Sequence, residues 1–282
     1  MPPIRLADAD AILDRLRPRV LFSDLDGTLV GRGGSLLAGF DGTPTLAAAK
    51  ALLAAHQADL TIVLVSGRPH AKLHEVGRVL GIRDAIAELG TVLVVDGDVE
   101  LLWGETPRDL GKTPAQALDR SGALGWLLDR HEGHLEPHEP LPQDRQGTIL
   151  LRGQLDVNEA AAALADAGFP WATLVDNGRF NRPFAHLGPG RTHAYHLAPA
   201  GVTKATAARA YLERRGLAAE DAAAIGDAPS DLELAEVVGV VFLVANGAWS
   251  LQDSDRRAVI VTESNAGDGW AEAVSALLAR KD

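Results

Sequence analysis

The chain has 282 residues, 46% hydrophobic and 23% charged, with a formal net charge of -11 at pH 7. This balance is typical of a folded globular protein, and the negative charge argues against nucleic-acid or anionic-membrane partners, which bind clustered Lys and Arg. The absence of cysteine excludes disulfides, thiolate metal sites and a cysteine nucleophile, and agrees with a reducing compartment.

Strand-like and helix-like segments alternate along the first 103 residues, which predicts βαβ units on a parallel sheet. The segments VLFSD (20–24) and LTIVLVSG (60–67) are predicted strands buried on both faces. Between them, TPTLAAAKALLAAHQ predicts a helix opened by Thr43 with Pro44 at its first position. A second helix is predicted from about Pro69 to Leu80, followed by a strand and a hairpin.

The remainder of the chain divides into two parts. Residues 191–282 repeat the strand and helix alternation, with a predicted helix from Lys204 to Arg215 and a final amphipathic helix from Gly269. Residues 104–190 contain a predicted helix through 113–131, a Pro/His-rich loop and a strand-helix-strand order of their own. The predicted fold class is therefore α/β: a Rossmann-like, doubly wound parallel-sheet core from residues 1–103 and 191–282, with a smaller α/β domain inserted at 104–190.

The longest apolar run, VVGVVFLVA from Val237, is less than half of the roughly 20 residues that a membrane-spanning helix needs. The charged N-terminal stretch does not resemble a signal peptide. We therefore expect a cytoplasmic protein with no membrane partner. The sequence leaves its oligomeric state open.

Two aspartates, Asp24 and Asp26, stand where the first buried strand ends. Ligands of doubly wound sheets bind beyond the carboxyl ends of the strands. Two carboxylates about 4 Å apart repel by roughly 4 kcal/mol at an effective dielectric of 20, so they seldom share a site without a proton or a cation. A metal site is therefore expected, although an aspartate at a strand end is also typical of a helix cap or turn.

Four motifs in the order of the chain resemble those of the haloacid dehalogenase superfamily of phosphohydrolases. They are DLDGT from Asp24, VLVSGR ending at Arg68, GVTKATAAR with Lys204, and IGDAPSDLEL with Asp227 and Asp231. The resemblance covers nearly the whole chain, and four ordered motifs are far more specific than one.

The resemblance implies a role for each matching residue. Asp24 would be the nucleophile that forms an aspartyl-phosphate, and Asp26 the acid and base for the leaving alcohol and the attacking water. Phosphoryl oxygens would be bound by a second group of residues: Thr28, Ser66, Gly67 and Lys204. Mg²⁺ is the implied cofactor because only hard oxygen ligands are on offer, and its predicted ligands are Asp24, Asp227, Asp231 and the backbone carbonyl of Asp26.

The long insert before Lys204 resembles the C2-type, IIB-like cap of the branch that includes Cof-type and sucrose-phosphate phosphatases. In that branch the cap selects the substrate, and the loop VDNGRFNRPFAHLGPGR offers Arg179, Arg182 and Arg191 as candidate substrate ligands. An ordinary solvated loop is the alternative. Leu89, Ala205 and Ser230 depart from residues common in the branch, which weakens assignment to a named subfamily.

We therefore predict an Mg²⁺-dependent phosphatase that hydrolyses a small phosphomonoester, such as a sugar phosphate or a glycosylated phosphate, through an aspartyl-phosphate. Two alternatives stay open. A sugar phosphomutase would transfer the phosphoryl group to a second hydroxyl instead of water, and a catalytically silent phosphate-binding module would release none.

Overall fold

The computed structural model describes residues 4–138, 144–179, 184–187, 190–251 and 259–280. In chain order the strands are β1 (Ile4–Arg5), β2 (Val20–Asp24), β3 (Thr61–Val65), β4 (Asp84–Ala87), β5 (Val92–Val95), β6 (Asp98–Leu101), β7 (Leu135–Pro137), β8 (Ile149–Gly153), β9 (Ala172–Arg179), β10 (His193–Pro199), β11 (Ala222–Gly226), β12 (Val240–Leu243) and β13 (Val259–Val261). The helices are α1 (Asp10–Leu13), α2 (Ala47–Gln57), α3 (His70–Leu80), α4 (Pro114–Arg120), α5 (Ala123–Arg130), α6 (Val157–Asp166), α7 (Lys204–Arg215), α8 (Pro229–Leu232) and α9 (Ala266–Leu278). None of the described helices is both long and apolar enough to cross a bilayer.

The strands form two separate sheets. The large sheet has the order β1-β13-β12-β11-β2-β3-β4-β5-β6, and its strands are parallel from β1 to β4. The antiparallel strands β5 and β6 form its other edge. The small sheet has the order β7-β8-β10-β9, and all its pairs are antiparallel.

Both faces of the large sheet are covered by helices. Successive residues of β2 alternate between two hydrophobic clusters, with Leu21 in the cluster that includes α2 and α9, and Phe22 in the cluster that includes α7. This alternation follows from the period of two along a strand. The predicted α/β class, a doubly wound core with a second and smaller α/β unit, is confirmed.

Some predicted element boundaries are wrong. Helix α2 begins at Ala47, not at Thr43, because the Thr45 hydroxyl accepts the Ala47 N–H and forms a turn before the helix. The helix predicted through residues 113–131 is two helices, α4 and α5, since Gly122 between them has a φ of 87°. Helix α9 begins at Ala266, three residues before the predicted start.

The division into a core of residues 1–103 and 191–282 and an insert of residues 104–190 stays a prediction. The strand pairing favours an insert that ends later than residue 190. Strand β10 lies beyond residue 190, yet it pairs with β8 on one side and β9 on the other. Without β10 the small sheet would be split in two. We therefore propose that the insert extends to about Pro199.

The large sheet brings the predicted site together through the adjacent parallel strands β11, β2 and β3. Asp24 is the last residue of β2, Ser66 follows β3, and Asp227 follows β11. Because the carboxyl ends of parallel strands lie at one edge of the sheet, these three residues meet there.

Candidate active site

Three carboxylates converge at this edge. Asp24, Asp227 and Asp231 each offer an oxygen, and these oxygens lie within 4.8 Å of one another. Asp231 is fully buried in the first turn of α8, where its carboxylate also accepts the N–H groups of Asp227 and Ala228. Asp231 is therefore both the cap of its helix and a member of the cluster.

Lys204 is the cation beside these acids. Its Nζ donates to Asp231 Oδ1 at 2.7 Å and lies 3.6 Å from Asp24 Oδ1. The residue begins α7, whose first turn is fixed by a capping box in which Thr203 and Thr206 bond to each other's backbone N–H. Burial opposes the charge of Lys204, but the neighbouring carboxylates of Asp231 and Asp24 outweigh it and raise its pKa. Lys204 is therefore charged in the site.

One lysine does not balance three carboxylates, of which Asp24 and Asp231 are buried and Asp227 is half-buried. Burial, and then the charge of Asp231, raise the pKa of Asp24 well above its usual value. The same two causes raise the pKa of Asp227 to about 7. The cluster therefore takes up protons near neutral pH unless another cation is bound, and a hard divalent cation fits a donor set made only of carboxylate oxygens.

Asp26 lies beside this triad but is not a member of it. Its carboxylate accepts two hydrogen bonds from Arg68, from Nε at 2.7 Å and from Nη2 at 2.5 Å. The side chain of Asp26 is half exposed and lines the same cavity as Asp24. The bidentate pair holds Asp26 in a fixed position at the mouth of the site.

The predicted phosphate ligands surround Asp24. The Thr28 hydroxyl is buried and has no hydrogen-bond partner among the described residues. The Ser66 hydroxyl accepts the Arg68 N–H, and Ser66 and Gly67 line the cavity with Lys204. A buried hydroxyl without a partner costs about 1–3 kcal/mol, which a bound anion would recover.

Asn246 supports the site and was missed at the sequence level. Its side-chain amide donates to the Gly27 carbonyl and to Asp227 Oδ2, and its oxygen accepts the Ala266 N–H. This one amide therefore ties the loop after β2 to Asp227 and to the start of α9. No local sequence signal marks it, because its partners are far apart in the chain.

Replacing Gly27 with alanine is expected to destabilise the protein by about 1–3 kcal/mol. Gly27 has a φ of 83°, and a Cβ there would lie 2.4 Å from Asp227 Oδ2. The substitution therefore strains the backbone and pushes a metal-ligand candidate aside. Urea unfolding and a Mg²⁺ titration measure the two effects.

Gly33→Ala is the matched control, since Gly33 also has a positive φ but no atom within 4 Å of its Cβ position. Equal effects of both substitutions would contradict the contact with Asp227.

The small sheet forms the other wall of the cavity, whose volume is about 610 Å³. Arg145, Asn177 and His196 line it from this side. Asn177 belongs to the loop sequence that was predicted to bind substrate, and its amide lies against Gly67. Arg145 and His196 were not predicted, because the motifs that identify the core say nothing about the insert.

The candidate arginines of the insert are not placed in the site. Arg191 is exposed and is not among the residues that line the cavity. Arg182 lies outside the described residues, as does the side chain of Arg179 at the end of β9. Their role as substrate ligands stays a prediction.

Comparison with known proteins agrees with this geometry. The model of the haloacid dehalogenase-like hydrolase family matches residues 21–99 and 185–274, more than half of the chain. Phosphoglycolate phosphatase of Archaeoglobus fulgidus is 26% identical over 263 residues, covering 93% of this chain and 97% of the relative. Phosphoglycolate phosphatase of Pyrobaculum aerophilum is 28% identical over 265 residues, covering 92% and 96%.

Solved structures share the fold at low sequence identity. A Thermoplasma acidophilum protein aligns with a TM-score of 0.65 at 16% identity, covering 92% of this chain and 98% of that one. The sucrose-phosphatase of Synechocystis, solved with sucrose and phosphate, aligns with a TM-score of 0.63 at 16% identity, covering 93% and 98%. The predicted enzyme class, a phosphoric monoester hydrolase, agrees with the names of these relatives. The family model and the four motifs agree, and the chain belongs to the haloacid dehalogenase-like hydrolases.

Proposed function

We propose that the protein is a Mg²⁺-dependent phosphatase that hydrolyses a small phosphomonoester through an aspartyl-phosphate on Asp24. The observation that carries this proposal is the convergence of Asp24, Asp227, Asp231 and Lys204 at a cavity that Asp24, Asp227 and Lys204 line. Release of inorganic phosphate from p-nitrophenyl phosphate tests it, and also separates hydrolysis from the transfer that a mutase performs.

In the first step, a carboxylate oxygen of Asp24 attacks phosphorus and the bond from phosphorus to the alcohol oxygen breaks. Asp26 gives that oxygen a proton, so the alcohol leaves neutral. Because Arg68 donates to both carboxyl oxygens of Asp26 in this structure, the proton transfer requires that pair to loosen when substrate enters. Thr28, Ser66 and Lys204 bind the phosphoryl oxygens and offset the charge that develops on them.

In the second step, a water molecule attacks the phosphorus of the aspartyl-phosphate. Asp26, now ionised, takes a proton from that water, and the bond from phosphorus to the Asp24 oxygen breaks. Inorganic phosphate leaves and the Asp24 carboxylate is restored. Dividing one hydrolysis between a nucleophile and an acid-base group lowers each barrier.

Bound Mg²⁺ would neutralise part of the charge that repels an anionic nucleophile from a phosphate dianion. Asp24 and Asp227 would hold it through their side chains and Asp26 through its backbone carbonyl. Asp231 is already bonded to Lys204 and to two backbone N–H groups, so it suits a contact through water.

Mg²⁺ is expected to raise the melting temperature more at pH 8 than at pH 5.5. The pKa of Asp227 rises to about 7 in the folded, metal-free site from 3.8, so the folded state binds more protons than the unfolded chain. Stability of the metal-free protein therefore falls as pH rises from about 4 to about 7, and the cation offsets this loss where the carboxylates are ionised. Thermal unfolding with EDTA and with Mg²⁺ at both pH values measures the effect. Asp227→Asn should remove the part of the pH dependence that Asp227 contributes and leave the part that Asp24 contributes. A larger shift at pH 5.5 than at pH 8 would contradict the assignment.

The substrate class is the finer part of the proposal. From sequence, a sugar phosphate or glycosylated phosphate is expected, while the curated relatives are named phosphoglycolate phosphatases. A cavity of about 610 Å³ admits either class. The partner is thus a small phosphorylated molecule, and a cytoplasmic location with no nucleic-acid partner stays a prediction.

A further inference from the structure

The wall of the cavity opposite the acidic cluster contains a second group of buried polar side chains. Arg145 and His196 line the cavity from the insert, and Glu88 of the core lies beside them. The reaction proposed above uses none of the three.

Glu88 is fully occupied by one segment of the insert. Its buried carboxylate accepts the backbone N–H groups of Gln146, Gly147 and Thr148 at 3.0 Å each, and the Thr148 hydroxyl at 3.2 Å. Glu88 has a φ of 51°, an unfavourable conformation for this residue type, which these four bonds maintain. Glu88 therefore fixes the segment that begins β8, with Arg145 at its edge.

Arg145 is left with unused hydrogen-bonding capacity and a long ion pair to Glu88. Its side chain is 8% exposed, donates from Nη2 to the Gly67 carbonyl at 3.0 Å and from Nη1 to the Thr148 hydroxyl at 3.1 Å. Its Nε has no partner among the described residues, and the carboxylate of Glu88 is 3.8 Å away. Burial lowers the pKa of Arg145, and the charges of Glu88 and Asp144 oppose this shift.

His196 is similarly incomplete. Its Nδ1 lies 2.9 Å from the Thr148 hydroxyl, and its buried Nε2 has no partner among the described residues. Burial, and then the charge of Arg145, lower the pKa of His196 well below its usual value, so the ring is neutral. A neutral imidazole adds hydrogen-bonding capacity beside the guanidinium without adding charge.

We propose, on the basis of the phosphatase function above, that Arg145 and His196 form a subsite for a carboxylate on the leaving group. The preferred substrates would then be phosphate esters of small hydroxy acids rather than of neutral sugars. A guanidinium matches a carboxylate in both geometry and charge, whereas a sugar hydroxyl would bring no charge to a guanidinium whose neighbouring carboxylate, Glu88, is 3.8 Å away and already accepts four hydrogen bonds.

The position of the subsite sets the size of the substrate. Arg145 bonds to the carbonyl of Gly67, the residue next to Ser66 in the predicted phosphate-binding loop. A carboxylate at Arg145 therefore lies close to the phosphoryl group, as in an ester of a short hydroxy acid. The Archaeoglobus and Pyrobaculum relatives are named phosphoglycolate phosphatases, and phosphoglycolate is an ester of this kind.

Two esters that differ only at this group provide the test: phosphoglycolate, and 2-hydroxyethyl phosphate, in which a CH₂OH replaces the carboxylate. The wild-type protein with Mg²⁺ should favour phosphoglycolate in kcat/KM by about 10-fold or more. Arg145→Gln should remove most of this preference, measured as the ratio of the two kcat/KM values within the same variant. Lys72→Gln is the matched control, because Lys72 also lines the cavity, and it should leave the preference within about threefold.

Several results would overturn the subsite. These are a wild-type preference for the neutral ester, equal kcat/KM values of the wild type for the two esters, or an Arg145→Gln variant that keeps the full preference for phosphoglycolate. If Arg145→Gln does not fold, Arg145→Lys provides the comparison. Lysine keeps the positive charge but lacks the planar guanidinium that donates two hydrogen bonds to one carboxylate, so this variant should retain only part of the preference.

A binding measurement separates this inference from the proposed function. Calorimetry with 3-phosphonopropionate and with 3-hydroxypropylphosphonate, which cannot be hydrolysed, reports carboxylate recognition without turnover. The subsite is supported if the carboxylate compound binds more tightly and Arg145→Gln loses this difference. That result would stand even if no ester were hydrolysed, and only the phosphatase proposal would then fail. Equal binding of the two compounds contradicts the subsite even if p-nitrophenyl phosphate is hydrolysed.

Discussion

Asp24→Asn is expected to reduce phosphate release by a factor on the order of 10⁴ or more, as loss of a nucleophile does in other hydrolases. The substitution changes one oxygen for an NH₂ group and leaves a side chain that cannot form the aspartyl-phosphate. Initial rates of phosphate release with Mg²⁺ at saturating p-nitrophenyl phosphate measure the loss.

The same variant should fold as well as wild type. Burial and the charge of Asp231 raise the pKa of Asp24, so the ionised carboxylate disfavours the folded, metal-free state as pH rises. Removing that carboxylate should therefore leave the melting temperature at pH 8 unchanged or higher. Asp166→Asn, on the exposed face of α6, is the matched control for activity. An Asp24→Asn variant that keeps a tenth or more of the wild-type rate would exclude Asp24 as the nucleophile.

Lys204→Met is expected to reduce kcat by about 100-fold or more and to destabilise the metal-free protein by about 3–5 kcal/mol. Lys204 is the cation that bonds to Asp231 and lies next to Asp24, and both carboxylates are buried. Without it the acids lose their compensating charge, and a phosphoryl group loses one stabilising contact. Urea unfolding in EDTA and steady-state kinetics in Mg²⁺ measure the two effects.

Mg²⁺ should restore part of the stability lost in Lys204→Met, because the added cation compensates the same carboxylates. Lys50→Met on α2 is the matched control, since Lys50 is exposed and distant from the cavity. A Lys204→Met variant with wild-type stability in EDTA would mean that the buried ion pairs do not contribute as their geometry implies.

The convergence of the predicted core residues follows from a property of parallel sheets, whereas their roles are predicted from the family resemblance. Asp24, Ser66 and Asp227 follow separate buried strands, and the sheet places the carboxyl ends of those strands together. Hydrophobic runs and turn residues identify such strands without knowledge of their order. Asp231 shows what the sequence could not decide. Its position four residues after Asp227 is compatible with a helix cap and with a place in the acidic cluster, and in the structure it accepts the Ala228 N–H and also a hydrogen bond from Lys204.

The insert was much less predictable. Its sheet is antiparallel, and the neighbours of a strand in such a sheet depend on pairings that no local pattern encodes. Strand β10 was therefore assigned to the core, although it completes the small sheet between β8 and β9. His196 reaches the cavity on β10, and Arg145 reaches it on the segment that Glu88 holds, and no local pattern in the sequence marks either residue.

The central claim is that Asp24 becomes phosphorylated, and mass spectrometry of the trapped enzyme tests it most directly. An Asp26→Asn variant with Mg²⁺ and p-nitrophenyl phosphate should accumulate the intermediate, because nitrophenolate leaves without a proton but the attacking water lacks its base. After acid quench and proteolysis, we predict one added phosphoryl group on the peptide that contains Asp24, and its loss when hydroxylamine is present. A phosphoryl group on another residue, or none at all during measurable turnover, would contradict the account.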